Sequence, residues 1–288
     1  MQNLPVGPAE PRPLEVRWAA RTDRGGRPNN EDSHLVARLH RSFDALATNV
    51  SATDLPRRLN QDGWLLAVAD GLGGMASGEV ASALALSAGV RFVLDEARWN
   101  LRLDEAELRE LLERARRIFH AIDERVAARA AEDASHAGMA TTLTGAYVIE
   151  RVLVLLHVGD SRAYLLRGGA LSRLTRDQTL AQRLADEGAI PQDAVAGHHL
   201  RHILRQALGR PERRLEVDVL REELAAGDRL LLATDGLTEV LADSEIAAIL
   251  RAASSEERAC LELVDRALAR HAPDNVTVVL ASFVEPAS

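Results

Sequence analysis

The sequence predicts an α+β fold in four layers, helix on sheet on sheet on helix. Three observations carry that expectation. Small and apolar residues recur at helical spacing over 77–94 and again, with charges on the opposite face, over 104–131. Short β-rich segments separated by turn residues then fill 141–174. A second helical pair, 243–252 and 255–269, precedes a last strand at 275–283. A helix with one apolar stripe needs a flat apolar partner, and helix pairs alternating with strand groups meet that need in layers.

Taken in order, the proline-rich residues 1–13 read as a flexible tail, and 14–284 as a single unit. Residues 14–20 form a first strand before a turn at 22–28, and 33–39 a second strand. The polar stretch 40–62 reads as a surface insertion, and the apolar run 64–69 as the next strand. After the first helical pair, segments 141–149, 152–158, 162–167 and 170–174 read as an antiparallel meander. Gly188, Pro191 and Gly197 interrupt helical signals over 178–206, which predicts a flap of short helices. Strands at 215–220 and 229–233 complete the set before the second helical pair.

Composition narrows the functions. Among 288 residues, 47% are hydrophobic and 27% charged, enough apolar surface for one large core. The formal net charge of −8 repels a phosphate backbone, and no basic patch offsets it, so a nucleic-acid partner is not expected. Cys260 is the only cysteine, which excludes an intrachain disulfide and a multi-cysteine metal site and suits a reducing cytoplasm. No run is expected to reach the roughly 20 apolar residues of a membrane span, so the reading is of a soluble, cytoplasmic monomer.

The chemistry lies where strands end in carboxylates. Asp70 follows the apolar run 64–69 and opens the motif DGLGG at 70–74, where glycines let backbone carbonyls approach a hard cation. Alone, such a motif is a glycine-rich turn with a capping Asp. It is repeated: Asp235 ends the apolar strand 229–233 and precedes Gly236, Asp274 stands where the last strand begins, Asp160 follows Gly159 after the strand 152–158, and Glu31 and Asp32 form an acidic pair before the second strand. Each of these acids alone has the turn-forming reading available to it, whereas five such junctions in one acidic chain point to a shared metal site. Oxygen donors without His or Cys select Mg²⁺ or Mn²⁺ over zinc.

Eight motifs then resemble, in family order, those of the PP2C (PPM) metal-dependent serine/threonine protein phosphatases, in particular the bacterial branch. They are RPNNEDS at 27–33, DGLGG at 70–74, GMATTL at 138–143, VGDSRAY at 158–164, LTRD at 174–177, ALG at 207–209, TDG at 234–236 and DNVT at 274–277. The resemblance implies a four-layer α-β-β-α sandwich of two antiparallel sheets between helix pairs, and hydrolysis of phosphoserine or phosphothreonine in proteins by a hydroxide activated at a binuclear Mg²⁺ or Mn²⁺ centre. It assigns Asp70 to the bridging carboxylate, Gly71 to a carbonyl ligand, and Asp235 and Asp274 to the remaining carboxylates. Glu31 and Asp32 match acids that hold metal-bound waters, with Asn275 beside them. Asp160 with Asp235 matches a weaker third metal site, set apart from Asp70 and Asp274, and Arg27 matches the arginine that grips the phosphate.

The expected partners are phosphorylated proteins, among them a serine/threonine kinase and its targets. Two departures stand out: Leu72 replaces a histidine that many eukaryotic members use as general acid, and Gln178 replaces another common histidine. His198 and His199 in the flap receive no role. A non-catalytic phosphoprotein-binding module of the same fold, and a hydrolase of small phosphate esters, remain as alternatives.

Overall fold

The computed structural model describes residues 13–44, 46–47, 58–73, 77–96, 105–210 and 214–286. The tail up to residue 12, the middle of the 40–62 stretch, Gly74 of the second motif and position 104 of the second helix lie outside them. The first strands are β1 (Glu15–Asp23), β2 (Ser33–Asp44), β3 (Arg58–Ala69) and the two-residue β4 (Gly71–Leu72). Helices α1 (Ser77–Glu96) and α2 (Glu105–Glu132) follow, then β5 (Ala140–Thr141), β6 (Leu143–Ile149), β7 (Val152–Val158), β8 (Arg162–Arg167) and β9 (Ala170–Arg173). Short α3 (Leu180–Asp186) and a 3₁₀ turn at Gln192–Gly197 form the flap. The chain continues through β10 (Asp218–Glu223), β11 (Arg229–Ala233), α4 (Asp235–Thr238), α5 (Asp243–Ala252), α6 (Glu256–Ala269) and β12 (Val276–Val284).

Two five-stranded antiparallel sheets result, one ordered β1-β12-β11-β8-β9 and the other β10-β7-β6-β3-β2, with β4 and β5 as a separate ribbon. Side chains alternate between faces along each strand, and this alternation builds the layers. In β3, Leu66 and Val68 point between the sheets, where they meet Leu230, Leu232, Val279 and Phe283 of the opposite sheet. Their neighbours Ala67 and Ala69 join Ala81, Ala85, Phe119 and Ile122 of α1 and α2. In β11, Leu231 and Ala233 face Ile246, Leu250, Leu263 and Val264 of α5 and α6. A strand buried on both faces reads as a nearly continuous apolar run, which is why Leu230–Ala233 of β11 and most of β12 are Leu, Val, Ala and Phe.

Several expectations change. Much of the 40–62 stretch is strand, because β2 and β3 pair from Ser33↔Ala69 out to Asp44↔Arg58. Polar side chains on the edge strand and its partner hid that ladder: Arg38 and His40 both contact the Asp62 carboxylate, at 2.5 and 2.6 Å. The meander is two hairpins on different sheets, β6 with β7 and β8 with β9, and the turn at 159–161 carries the chain across. The strand expected at 215–220 begins only at Asp218, since Leu215 is buried under the α1–α2 layer instead. By length and composition alone, Ser77–Leu94 is apolar enough to cross a membrane, against the expectation of none. Its Ala81, Ala85 and Ala88 pack in the helix layer over the sheet.

Candidate metal centre

Antiparallel pairing brings the acids together. Asp70 follows β3, and Asp32 precedes β2, whose first residue pairs with the last of β3. Asp235 opens α4 two residues after β11, and Asp274 lies two residues before β12, which pairs with β11. Asp160 sits in the turn between β7 and β8. One carboxylate oxygen from each of Asp70, Asp160 and Asp235 lies within 4.8 Å of the other two. The expectation that Asp160 stands apart from Asp70 is therefore corrected: the crossover turn delivers it into the same cluster.

The cluster is under electrostatic stress. Burial, then the charges of Asp235, Asp32 and Asp160, hold the Asp70 carboxyl well above the usual range, and burial with Asp160 and Glu239 does the same to Asp235. Burial pushes Asp32 up to about 7, and burial with the nearby Asp177 charge pushes Asp160 to about 7. Asp32 Oδ2 accepts a 2.8 Å bond from the Thr234 hydroxyl, but Asp32 Oδ1 and Asp235 Oδ1 are buried with no hydrogen-bond partner. Buried carboxylate oxygens are ordinarily satisfied. Converging, unpaired, anionic oxygens at this density fit a hard divalent cation, which would remove both the repulsion and the unmet acceptors.

The backbone around the acids is fixed by close contacts. Asp70 N donates to Thr142 Oγ1 at 3.0 Å, Thr142 N returns to Asp70 O at 2.9 Å, and Thr141 Oγ1 donates to the same carbonyl at 2.8 Å. Gly71 is required sterically, since a Cβ there would stand 2.1 Å from Gly78 O and 2.6 Å from Glu31 O. Gly236 is required in the same way, with Asn275 O at 2.1 Å, which lets α4 press against the start of β12.

Asn275 is a clamp. Its Nδ2 donates to Arg24 O at 2.9 Å and Asn29 O at 2.8 Å, while its Oδ1 accepts from Glu31 N at 2.8 Å. It thus sets the loop that carries Arg27, Glu31 and Asp32. Glu31 lies against Gly78 at the start of α1. Arg27, more than half exposed, places Nη2 2.5 Å from Asp274 Oδ2.

The departures also resolve. Leu72 belongs to the β4–β5 ribbon opposite Ala140. Gln178 is a brace: its Oε1 accepts from Gly159 N and its Nε2 donates to Asp218 Oδ2, both at 2.9 Å, so it ties the Asp160 turn to the flap root and β10. His198 and His199 stack on each other, with ring centroids 4.5 Å apart. Two residues without an assignment do approach the centre, His202 and Glu239, each offering a ligand atom within 4.8 Å of Asp235. Glu239 had a signal in the sequence, standing four residues after Asp235 and hence one helical turn on. His202 had none.

Comparison with known proteins places the chain in a family. The protein phosphatase 2C family profile matches residues 52–272. The serine/threonine protein phosphatase PstP of Mycobacterium tuberculosis (strain CDC 1551 / Oshkosh) is 37% identical over 276 residues, covering 94% of this chain and 46% of PstP. The chain thus spans about half the length of that relative. The serine/threonine phosphatase stp of Listeria welshimeri is 33% identical over 216 residues, 75% of this chain and 83% of stp. A crystal structure of the PstP catalytic domain in complex with two manganese ions superposes with a TM-score of 0.73 at 34% identity, covering 94% of this chain and all of that one. The fold and the acid cluster define a metal-binding phosphatase scaffold, and the chain belongs to the protein phosphatase 2C family.

Proposed function

We propose that this chain hydrolyses phosphoserine and phosphothreonine esters in proteins, with divalent ions as cofactor, and so reverses the work of a serine/threonine kinase. The observation that carries the reading is the cluster Asp70, Asp160 and Asp235, whose crowded oxygens, with the unmet acceptor Asp235 Oδ1 among them, fit cations, on a chain of a phosphatase family. Asp70, the Gly71 carbonyl, Asp235 and Asp274 would hold two Mn²⁺ or Mg²⁺ ions, Asp32 and Glu31 the water around them, and Asp160 with Asp235 a weaker third. Two ions so held would lower the pKa of a shared water and brace the attacking and leaving oxygens.

The chain's own residues account for substrate binding. Arg27 presents a planar fork of donors suited to two phosphoryl oxygens. Its guanidinium rests on Asp274, so an arriving phosphate and a cation at Asp274 would part that pair and free both groups together. Asn275 bonds the Arg27 loop at the Arg24 and Asn29 carbonyls, on both sides of Arg27, which limits the reorganisation needed on binding. Leu72 offers no proton, so leaving-group protonation falls to water or to another side chain.

The deciding experiment is turnover of a phosphothreonine peptide with Mn²⁺, with Mg²⁺ and after exhaustive chelation. Turnover restored by either ion and absent after chelation is expected. Turnover that survives chelation would overturn the reading.

A further inference from the structure

We propose that the cavity between the α1–α2 layer and the β10-β7-β6-β3-β2 sheet is a binding site for a small arylalkyl carboxylate, its ring held among apolar side chains and its carboxylate on Arg114.

The cavity holds about 150 Å³. An apolar cavity of this size, engineered in another protein, stays dry and admits a benzene-sized guest. Of the described residues that line it, all but Arg114 and Tyr147 are apolar or glycine, and Phe119 and Tyr147 supply two aromatic rings. Such rings favour edge-to-face or offset contact with a third. Arg114 is itself only 9% exposed. A nearly apolar pocket with one buried cation selects an apolar body that carries an anion, because a charge-assisted pair is strong where water is excluded. None of the acids of the metal centre lines this wall, so its occupancy can be measured apart from phosphopeptide turnover.

Two glycines keep the space open. Gly89 lies inside α1 and Gly145 inside β6, where glycine weakens a helix or a strand. The backbone does not require them, since neither has a positive φ. Close neighbours do not require them either: a Cβ on Gly145 would meet only Phe119 Cζ, at 3.9 Å, and one on Gly89 only Ile122 Cδ1, at 3.4 Å. Gly71 and Gly236 differ, with a backbone oxygen 2.1 Å from the corresponding point. Side chains would fit at 89 and 145 and fill the cavity, so these glycines leave room that the protein's own packing does not use. Gly63 shapes the wall in another way, because a Cβ there would stand 2.9 Å from the Tyr147 ring, and its absence seats that ring on β3. Leu39, Val93 and Leu111 of the wall are only half-buried, which gives a solute a way in.

The test titrates the whole chain, by calorimetry and by thermal melting, with phenylacetate and with its neutral analogue phenethyl alcohol. Phenylacetate should bind one-to-one and raise the melting temperature, and the alcohol should bind at least about tenfold more weakly. Arg114→Met should bring the acid down to the affinity of the alcohol, whereas Arg114→Lys, which keeps the charge, should retain the preference. The double variant Gly89→Ala, Gly145→Ala should melt about 2–4 °C higher without ligand and bind phenylacetate at least about tenfold more weakly. Absence of saturable binding to the wild type, or equal affinities for acid and alcohol, would overturn the site. So would an Arg114→Met protein that still prefers the acid, or a double glycine variant that melts lower or binds as the wild type does.

Discussion

The floor and the rim of the acid centre are built on opposite principles. On the floor, Asp70, Asp160, Asp235 and Asp32 are crowded, and Asp32 and Asp235 each keep a buried oxygen without a partner. On the rim, Arg27 holds Asp274, His202 holds Glu239 and Asn275 satisfies three backbone groups of the neighbouring loop. Unmet acceptors on the floor favour whatever cation arrives, at a standing cost to the metal-free fold. Rim pairs are already content and must be exchanged for a ligand. The floor therefore governs whether ions bind, and the rim governs how substrate and flap respond.

The largest expected effect tests the floor. Asp235→Asn should lower phosphopeptide turnover by on the order of a thousandfold, since it removes a charged ligand while keeping shape. The metal-free variant should melt at or above the wild-type temperature, because one repelling buried charge is gone. A clear drop in metal-free melting temperature, measured by calorimetry, would break the contrast by making Asp235 a structural residue.

Arg27→Ala should lower kcat/KM by about a hundredfold through lost phosphate contacts. Metal affinity should hold or rise slightly, as Asp274 loses the guanidinium that competes for its carboxylate. Weaker metal binding in a titration would move Arg27 from rim to floor.

Asp160→Ala should cost about tenfold in turnover at metal concentrations that fill the tighter sites. Its place within 4.8 Å of both Asp70 and Asp235 adds a second expectation, a metal-free protein that melts no lower than wild type. An unstable variant with full activity would make Asp160 a turn residue only.

Asn275→Ala should have the smallest catalytic effect and the largest thermal one. Losing three hydrogen bonds from a residue only 4% exposed should cost about 2–3 kcal/mol, read from denaturant unfolding. The freed Arg27 loop should raise KM a few-fold with little change in kcat. Unchanged stability would show that the loop is held by something other than the clamp.

The sequence motifs held the acids of the floor and Arg27, Asp274 and Asn275 of the rim, but not His202 and Glu239. A strand that ends in Asp followed by Gly is a local signal, and its recurrence at Asp70 and Asp235, with acids at 32, 160 and 274, is what pointed to a shared site. That Asp160 joins Asp70 could not, because the step from β7 to β8 crosses between sheets and a β-rich segment reads the same in either one. The flap's return over 198–206 is set by bonds to the segment at 178–180, a pairing with no sequence period, and so His202 was not singled out, while His198 and His199 were named without a role. The β2–β3 ladder beyond residue 40 was hidden for a different reason: its polar faces carry no apolar alternation, and only the backbone register reveals it.

The strand order of the first sheet bears on synthesis. Among the described residues strand β1 has a single neighbour, β12, so it waits during synthesis until residues 276–284 have emerged. Until then its edge is open, a template for pairing with other chains. The same final strand brings Asp274 and Asn275, and with them the clamp on the Arg27 loop. A nascent chain stopped short of residue 274 would thus lack both the partner of β1 and one acid of the centre, so the sheet and the acid cluster are completed together.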